Sequence, residues 1–182
     1  MSEYEMLLIF EQFSMEYVEK SWEWLNDSEI RQLTDTLVFT KEDQLVWYES
    51  LPTKKDYRVW GISITGEKIG VVGLKKITKD SAEFFTYIGE KKYWGKGLGV
   101  QILSFAEEQA RKLKLVKMIL KVLNGNLRAL NLYKRYGFLN EKQDDRYTYM
   151  VMMLPPPPPP YLYRICIVNK NTLFYPLKGA AA

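Results

Sequence analysis

Tyr93-Trp94-Gly95-Lys96-Gly97-Leu98-Gly99 is the stretch whose reading decides the fold. It follows an apolar, aromatic run over residues 82–88 that reads as a strand. It precedes residues 100–113, which carry the spacing of an amphipathic helix. Three glycines therefore sit at a strand-to-helix turn. A helix start offers unpaired N–H groups and the positive end of the peptide dipoles, and glycines let a bulky anion approach. That combination suits a pyrophosphate. The spacing is neither G-x-G-x-x-G nor a P-loop, since no Gly-Lys-Ser/Thr follows.

A second block lies downstream: Asn126-Leu-Arg-Ala129-Leu-Asn-Leu132-Tyr133-Lys-Arg-Tyr-Gly137-Phe138. Together the two blocks resemble the GNAT superfamily of acyl-CoA-dependent N-acyltransferases, over roughly residues 5 to 154. That family pairs Gln/Arg-x-x-Gly-x-Gly/Ala with Asn-x-x-Ala-x-x-Leu-Tyr-x-x-x-Gly-Phe. The second block matches at every anchor. The first departs where Trp94 replaces Gln or Arg, which resembles the ribosomal-protein-acetylating branch.

The pattern outside the blocks predicts β-α-α-β-β-β-α-β-α-β-β, with two or three helices in the N-terminal part. Residues 6–10 read as a strand. Residues 15–25 read as a helix, followed by a new helix start with Asp27 or Ser28 as N-cap. Thr40 and Asp43 have the spacing of a capping box for a helix running to Pro52. Residues 57–64 and 68–77 read as a hairpin, 81–88 and 116–122 as strands, and 127–136 as a helix stopped by Gly137. Residues 139–142 and 146–154 read as a final antiparallel pair. The resemblance implies the matching fold class, an α/β (α+β) GNAT fold. Its sheet is mixed, mostly antiparallel, and splayed between the strand before the glycine loop and the strand after its helix. Helices lie on both faces.

Composition narrows the chemistry. The 182 residues suffice for one domain with a sizeable core. There is no histidine, which excludes a Ser-His-Asp triad, a Cys-His pair and a His-ligated metal. No carboxylate cluster suggests a metal either. The net charge of +4 overstates the basicity of the body, because residues 155–182 hold three basic residues and no acidic ones. The remaining 23 basic and 22 acidic residues nearly balance, so nucleic acid is not an expected partner. No run reaches the length of a membrane span, and no signal peptide is visible at the N-terminus. Cys166 is the lone cysteine. These features point to a cytoplasmic location. Six prolines, Pro155 to Pro160, follow a body that contains only Pro52. They separate a domain over 1–154 from a tail over 155–182. The tail reads as a dispensable appendage in preference to a peptide ligand or an exchanged strand.

The resemblance implies acetyl-CoA as cosubstrate, without a metal. The acetyl group passes by direct attack of a primary amine through a tetrahedral intermediate. The N–H groups of Gly95, Lys96, Gly97, Leu98 and Gly99 would wrap the pyrophosphate, with Gly97 and Gly99 glycine for close approach. Backbone at Ile88 and Gly89 would meet the pantetheine arm. Asn126 would cap its helix, touch that arm, or do both. Tyr133 matches the family tyrosine that protonates the leaving thiolate; otherwise it packs with Leu132 and Phe138. Glu83 resembles the general base of histone-acetylating members, with a pKa raised by burial; otherwise it forms a salt bridge to a lysine on an adjacent strand.

The acceptor is expected to be a small-molecule amine. The segments around Trp24, Asn26 and Trp47 resemble bacterial enzymes that N-acetylate nucleotide-linked amino sugars, and aromatic rings suit sugar or base stacking; otherwise these aromatics are core residues at helical spacing. The other readings are an acetyltransferase for a protein N-terminus or for a small polyamine or antibiotic amine, and a non-catalytic acyl-CoA-binding module. A homodimer is compatible with all of these.

Overall fold

The computed structural model describes residues 7–155, 163–168 and 171–176. β1 (Ile9–Gln12) leads into three helices, α1 (Met15–Asn26), α2 (Ser28–Thr34) and α3 (Lys41–Ser50). A meander of β2 (Arg58–Ile64), β3 (Glu67–Lys75) and β4 (Ser81–Ile88) follows. Then come α4 (Gly99–Lys112), β5 (Lys117–Leu123), α5 (Leu127–Tyr136), β6 (Leu139–Gln143) and β7 (Tyr147–Met153). The expected first strand begins later than residue 6, which lies outside the described residues, and the N-terminal part holds three helices.

Local chemistry sets the boundaries. Asp27 is extended (φ −63°, ψ 130°) and separates α1 from α2. Its carboxylate accepts from the N–H groups of Glu29 (3.0 Å) and Ile30 (3.1 Å). At α3 the Asp43 N–H donates to Thr40 Oγ1 (3.1 Å), and the Thr40 N–H donates to Asp43 Oδ2 (2.9 Å). Such caps are each worth about 1 kcal/mol. Pro52 then forces a 3-10 turn over Leu51–Thr53.

The seven strands lie in the order β1-β2-β3-β4-β5-β7-β6, and every neighbouring pair is antiparallel except β4 and β5. β3 sits centrally and is buried along most of its length, so its apolar run is nearly unbroken. Alternation on β4 feeds two cores. Phe84 joins one core with Leu98, Ile102 and Phe138 on the α4/α5 side. Phe85 and Tyr87 pack instead against the core of Phe13, Tyr17, Trp24 and Ile30 on the α1–α3 side.

β4 and β5 pair only through Ser81↔Lys117, Ala82↔Met118 and Glu83↔Ile119. Beyond Glu83 each strand keeps its outer partner: β4 stays paired to β3 as far as Ile88, and β5 to β7 as far as Leu123. The sheet therefore opens as a wedge between two intact halves, at the place the sequence indicated.

Residues 163–168 and 171–176 form two further strands, β8 (Tyr163–Val168) and β9 (Asn171–Pro176), paired antiparallel in a sheet of their own. Sequence reading found no motif there. Among the six consecutive prolines, Pro156–Pro160 lie outside the described residues.

Candidate active site

The wedge is flanked by two clefts that meet inside it. The first, about 340 Å³, runs along the glycine loop, the start of α4 and one face of α5. Gly95 and Gly97 both adopt φ +75°, a conformation that side chains with a Cβ rarely take. They turn the loop so that α4 begins at Gly99 with no side-chain cap and no acidic residue in its first turn. The first N–H groups of that helix are left for an anion. Lys96, Arg128 and Arg135 line this cleft, and among the described residues no carboxylate does. Arg128 and Arg135 are seven residues apart, two turns along one face of α5. The guanidinium of Arg128 lies 4.8 Å from the Trp94 ring centre, a cation–π contact that pins α5 to the loop. Sequence reading missed both arginines. Their i, i+7 spacing within the second block was the available signal.

Trp94 has a role of its own. Its Nε1 donates to the Ile88 carbonyl (2.8 Å), tying the loop to the end of β4. Tyr93 OH donates to Glu67 (2.7 Å), and Lys91 pairs with Asp27 (2.8 Å) and Glu29 (2.9 Å). These contacts fix the entry to the glycine loop from both sides.

Two of the expected cofactor glycines have packing neighbours of their own. Gly89 does not face the cleft. Its N–H donates to Ile69 O (2.8 Å), so that donor is spent within the sheet. A Cβ on Gly89 would fall 2.0 Å from Trp24 Cδ2, so this glycine is there to seat an indole. Gly99 lines the cleft, but what a Cβ there would strike is Leu132 Cδ2, at 2.4 Å. Its smallness serves α4–α5 packing, whereas Gly97 has open space around it and needs glycine for its φ. Ile88, Gly95, Lys96, Gly97 and Leu98 line the cleft.

The second cleft, about 350 Å³, lies on the α1–α3 side of the wedge. Thr86, Tyr87, Asn126 and Tyr133 line both clefts, so they mark the junction. Asn126 Oδ1 accepts from the Ala129 N–H (3.2 Å) and caps α5, while its place at the junction turns the residue toward both clefts. Tyr133 packs edge-on to Phe84 (6.1 Å) and against Phe138 (5.9 Å). Burial pushes its phenol up to about 12. Tyr133 thus packs among aromatic rings and also borders both clefts.

Glu83 lines the second cleft, but its environment differs from the expected one. It pairs with Lys75 (3.1 Å) and Lys76 (2.7 Å). Burial pushes its pKa up, yet the hydrogen bonds and charge of the two lysines outweigh burial and leave it below the usual glutamate value. The raised pKa expected of a general base is absent, and the salt bridge to an adjacent strand is what forms.

The three acceptor residues also separate. Trp24 is buried, donates from Nε1 to Glu90 (3.0 Å) and lines neither cleft. The side chain of Asn26 donates to Trp22 O (2.9 Å) at the end of α1 and lies outside both. Trp47 lines a third, adjoining cavity whose walls include Phe85 and Tyr87, residues shared with the second cleft.

One latch across the second cleft went unread in the sequence. Asp35, in left-handed conformation (φ 53°) after α2, accepts from Arg146 Nη2 and from Tyr147 OH. The Asp35 carboxylate in turn raises the Tyr147 pKa. Residues 111 positions apart thus join the α2–α3 loop to the start of β7 over the cleft. Nothing local in either segment announces the pairing.

A model of the Acetyltransferase (GNAT) family matches residues 18–138. An uncharacterized protein of Methanocaldococcus jannaschii, MJ1062, is 26% identical over 106 residues, covering 56% of this chain. The chain spans only 21% of that relative's length. Spermidine N-acetyltransferase from Vibrio cholerae, solved with CoA and spermine, superposes with TM-score 0.75 at 20% identity, over 81% of this chain and 95% of that one. Campylobacter jejuni N-acetyltransferase PseH gives TM-score 0.65 at 20% identity, over 82% and 99%. PseH has also been solved with acetyl coenzyme A, and the Vibrio enzyme in a dodecameric form.

Proposed function

The chain belongs to the acetyltransferase (GNAT) family, and on that premise we propose that it transfers an acetyl group from acetyl-CoA to the primary amine of a nucleotide-linked amino sugar. One observation carries the reading: an all-cationic cleft with a helix start and a charge-balanced aromatic cleft meet at Tyr133.

The first cleft fits the pyrophosphate of acetyl-CoA. The uncapped start of α4 and the chains of Lys96, Arg128 and Arg135 supply donors and positive charge to the phosphates. The wedge beyond Glu83 leaves the inner edge of β4 unpaired, so it can pair with an extended arm. Acetyl-CoA supplies the thioester carbonyl. The amine nitrogen bonds to that carbon, the C–S bond breaks, and the amine's surplus proton ends on sulfur. With a pKa near 12, the Tyr133 phenol stays protonated and donates a hydrogen bond to the sulfur as negative charge builds there. Full transfer of its proton to a thiolate, whose acid has a pKa of about 8.5, would be uphill. Tyr133 thus acts mainly as a donor to developing charge. The ion-paired Glu83 does not serve as base, and the ammonium proton leaves through water.

The acceptor class rests on charge. Asp35 and Glu83 in the second cleft are matched by Lys75 and Lys121. A polyamine, cationic throughout, gains most from surplus carboxylate. A nucleotide-linked amino sugar carries one ammonium and two phosphates, and it suits mixed charges between aromatic walls.

The test is CoA release from acetyl-CoA across nucleotide-linked amino sugars, polyamines, aminoglycosides and N-terminal peptides. Turnover concentrated on the nucleotide-linked sugars is expected. Faster turnover on spermidine or peptides would overturn the acceptor class. Tight acetyl-CoA binding with no turnover on any amine would move the chain to the non-catalytic reading.

A further inference from the structure

Of the ten residues of α3, only Gln44 is buried, at 8% exposure. An amide is an unusual choice for the inward position of a helix, where apolar side chains are the rule. Its carboxamide has two donor hydrogens and an acceptor oxygen. No side-chain hydrogen bond joins it to any described residue, and it is not among the fully buried unpaired side-chain atoms, which are Ser21 Oγ and Trp22 Nε1, so its carboxamide opens on the surface. It borders the third cavity, about 310 Å³, whose other walls include Phe13, Phe39, Trp47, Phe85 and Tyr87. The rings form a linked frame. Phe13 meets Trp47 edge-on at 5.6 Å, Trp47 meets Tyr57 edge-on at 5.9 Å, and Tyr57 meets Phe85 at 5.6 Å.

We propose that this cavity binds the base of a nucleotide, with Gln44 reading its hydrogen-bonding edge. The proposal deepens the acceptor reading above and rests on it for the identity of the attached sugar. A flat heteroaromatic ring fills a slot between aromatic walls, and it offers the adjacent donor and acceptor that a carboxamide pairs with side by side. A saturated sugar would leave most of its hydroxyls unpaired against such walls, and an aliphatic chain would leave the amide unpaired. At the rim Asp43 spends Oδ2 on the Thr40 N–H and hydroxyl, and its other carboxylate oxygen can meet a ribose hydroxyl. Phosphates then fall toward Tyr57 and Phe85, the rings between this cavity and the second cleft. Lys54 Nζ lies 5.8 Å from the Tyr57 ring centre, and Lys75 Nζ lies 5.6 Å from that of Phe85. Lys54 has no carboxylate partner among the described residues. Base, phosphates and amine would follow one another from Gln44 through these lysines to Tyr133.

The experiment is calorimetric titration of the full chain with UMP, CMP, AMP and GMP, with ribose 5-phosphate as the baseless control. Tryptophan fluorescence gives a second readout through Trp47. At least one nucleotide should bind and quench, and ribose 5-phosphate should not. Gln44→Met should weaken that nucleotide at least about tenfold, with acetyl-CoA affinity unchanged as the check on folding. Gln44→Glu, which replaces the donor by an acceptor, should change the order of preference among the four. Absence of nucleotide binding at millimolar concentration would overturn the proposal. So would equal binding of ribose 5-phosphate, or a Gln44→Met or Gln44→Glu protein indistinguishable from the parent. Gln44-dependent binding in a protein that acetylates only nucleotide-free amines would keep the base site and sink the acceptor assignment.

Discussion

The two clefts that meet at Tyr133 are built in opposite ways. The first is made largely of backbone: a loop turned by two positive-φ glycines and the bare start of α4, with cations around it and, among the described residues, no carboxylate. The second is made of side chains from β3, β4, β5, β7 and the α2–α3 loop, and two acidic and two basic residues line it. A backbone cradle recognises what every reaction of the family shares, a pyrophosphate, and leaves few positions free to vary. A side-chain cleft can be re-lined without disturbing the sheet. The difference teaches where this chain keeps its chemistry and where it keeps its selectivity.

Substitutions that damage one cleft alone test that division, and the largest effect should come from the cradle. Gly97→Val forces a β-branched residue into φ +75° and sets a Cβ where a phosphate approaches. The strain and lost donors should together weaken acetyl-CoA at least about a hundredfold. Isothermal titration measures this, and circular dichroism should report an intact fold because nothing lies within 4 Å of that position. Nucleotide binding at the third cavity should be untouched. If it falls equally, the two regions are not independent.

Tyr133 stands in both clefts, so Tyr133→Phe should cut turnover without favouring either substrate's affinity. Loss of the donor to sulfur is worth about a hundredfold in kcat. The acetyl-CoA dissociation constant should stay within about twofold, since the ring still fills the space between Phe84 and Phe138. Stopped-flow measurement of single turnovers separates the two effects. A full rate in the variant would reduce Tyr133 to packing.

The same contrast explains how much was legible in the sequence. The cradle is a contiguous string, and its residues could be named from order and spacing alone. The wedge came with it as part of the family resemblance, because a glycine loop between β4 and α4 has one place in that fold. The second cleft assembles residues such as Asp35 and Tyr147, 112 positions apart, and no periodicity marks them. Aromatic content left core and cleft undivided for a related reason. Trp24 and Trp47 have the same side chain at similar helical spacing, yet Gly89 makes room for Trp24 in the core, and no such glycine was visible beside it in one dimension. Glu83 was rightly placed on β4, but its pKa depends on Lys75 and Lys76, which reach it only across the β3–β4 pairing.

Glu83 gives the smallest expected effect and the sharpest reading of the second cleft. The two lysines hold its pKa below the usual glutamate value, so the carboxylate is ionised throughout the neutral range. A group titrating below that range cannot shape a rate profile near neutrality. Glu83→Gln should therefore leave the pH dependence of kcat/KM overlaying that of the parent, with the rising limb set by the acceptor's own ammonium. A limb displaced by a unit or more would restore Glu83 as the base. The variant should act on KM instead. Removing the carboxylate leaves Lys75 and Lys76 without their shared partner and adds one positive charge beside the cleft. Lys76 is largely exposed, so screening limits the effect to about two- to fivefold. Its direction depends on the acceptor. Added positive charge attracts a phosphate-bearing acceptor and lowers its KM, and it repels a polyamine and raises its KM. The sign of that change, measured at low and high salt on the same enzyme preparation, separates the two acceptor classes by charge alone.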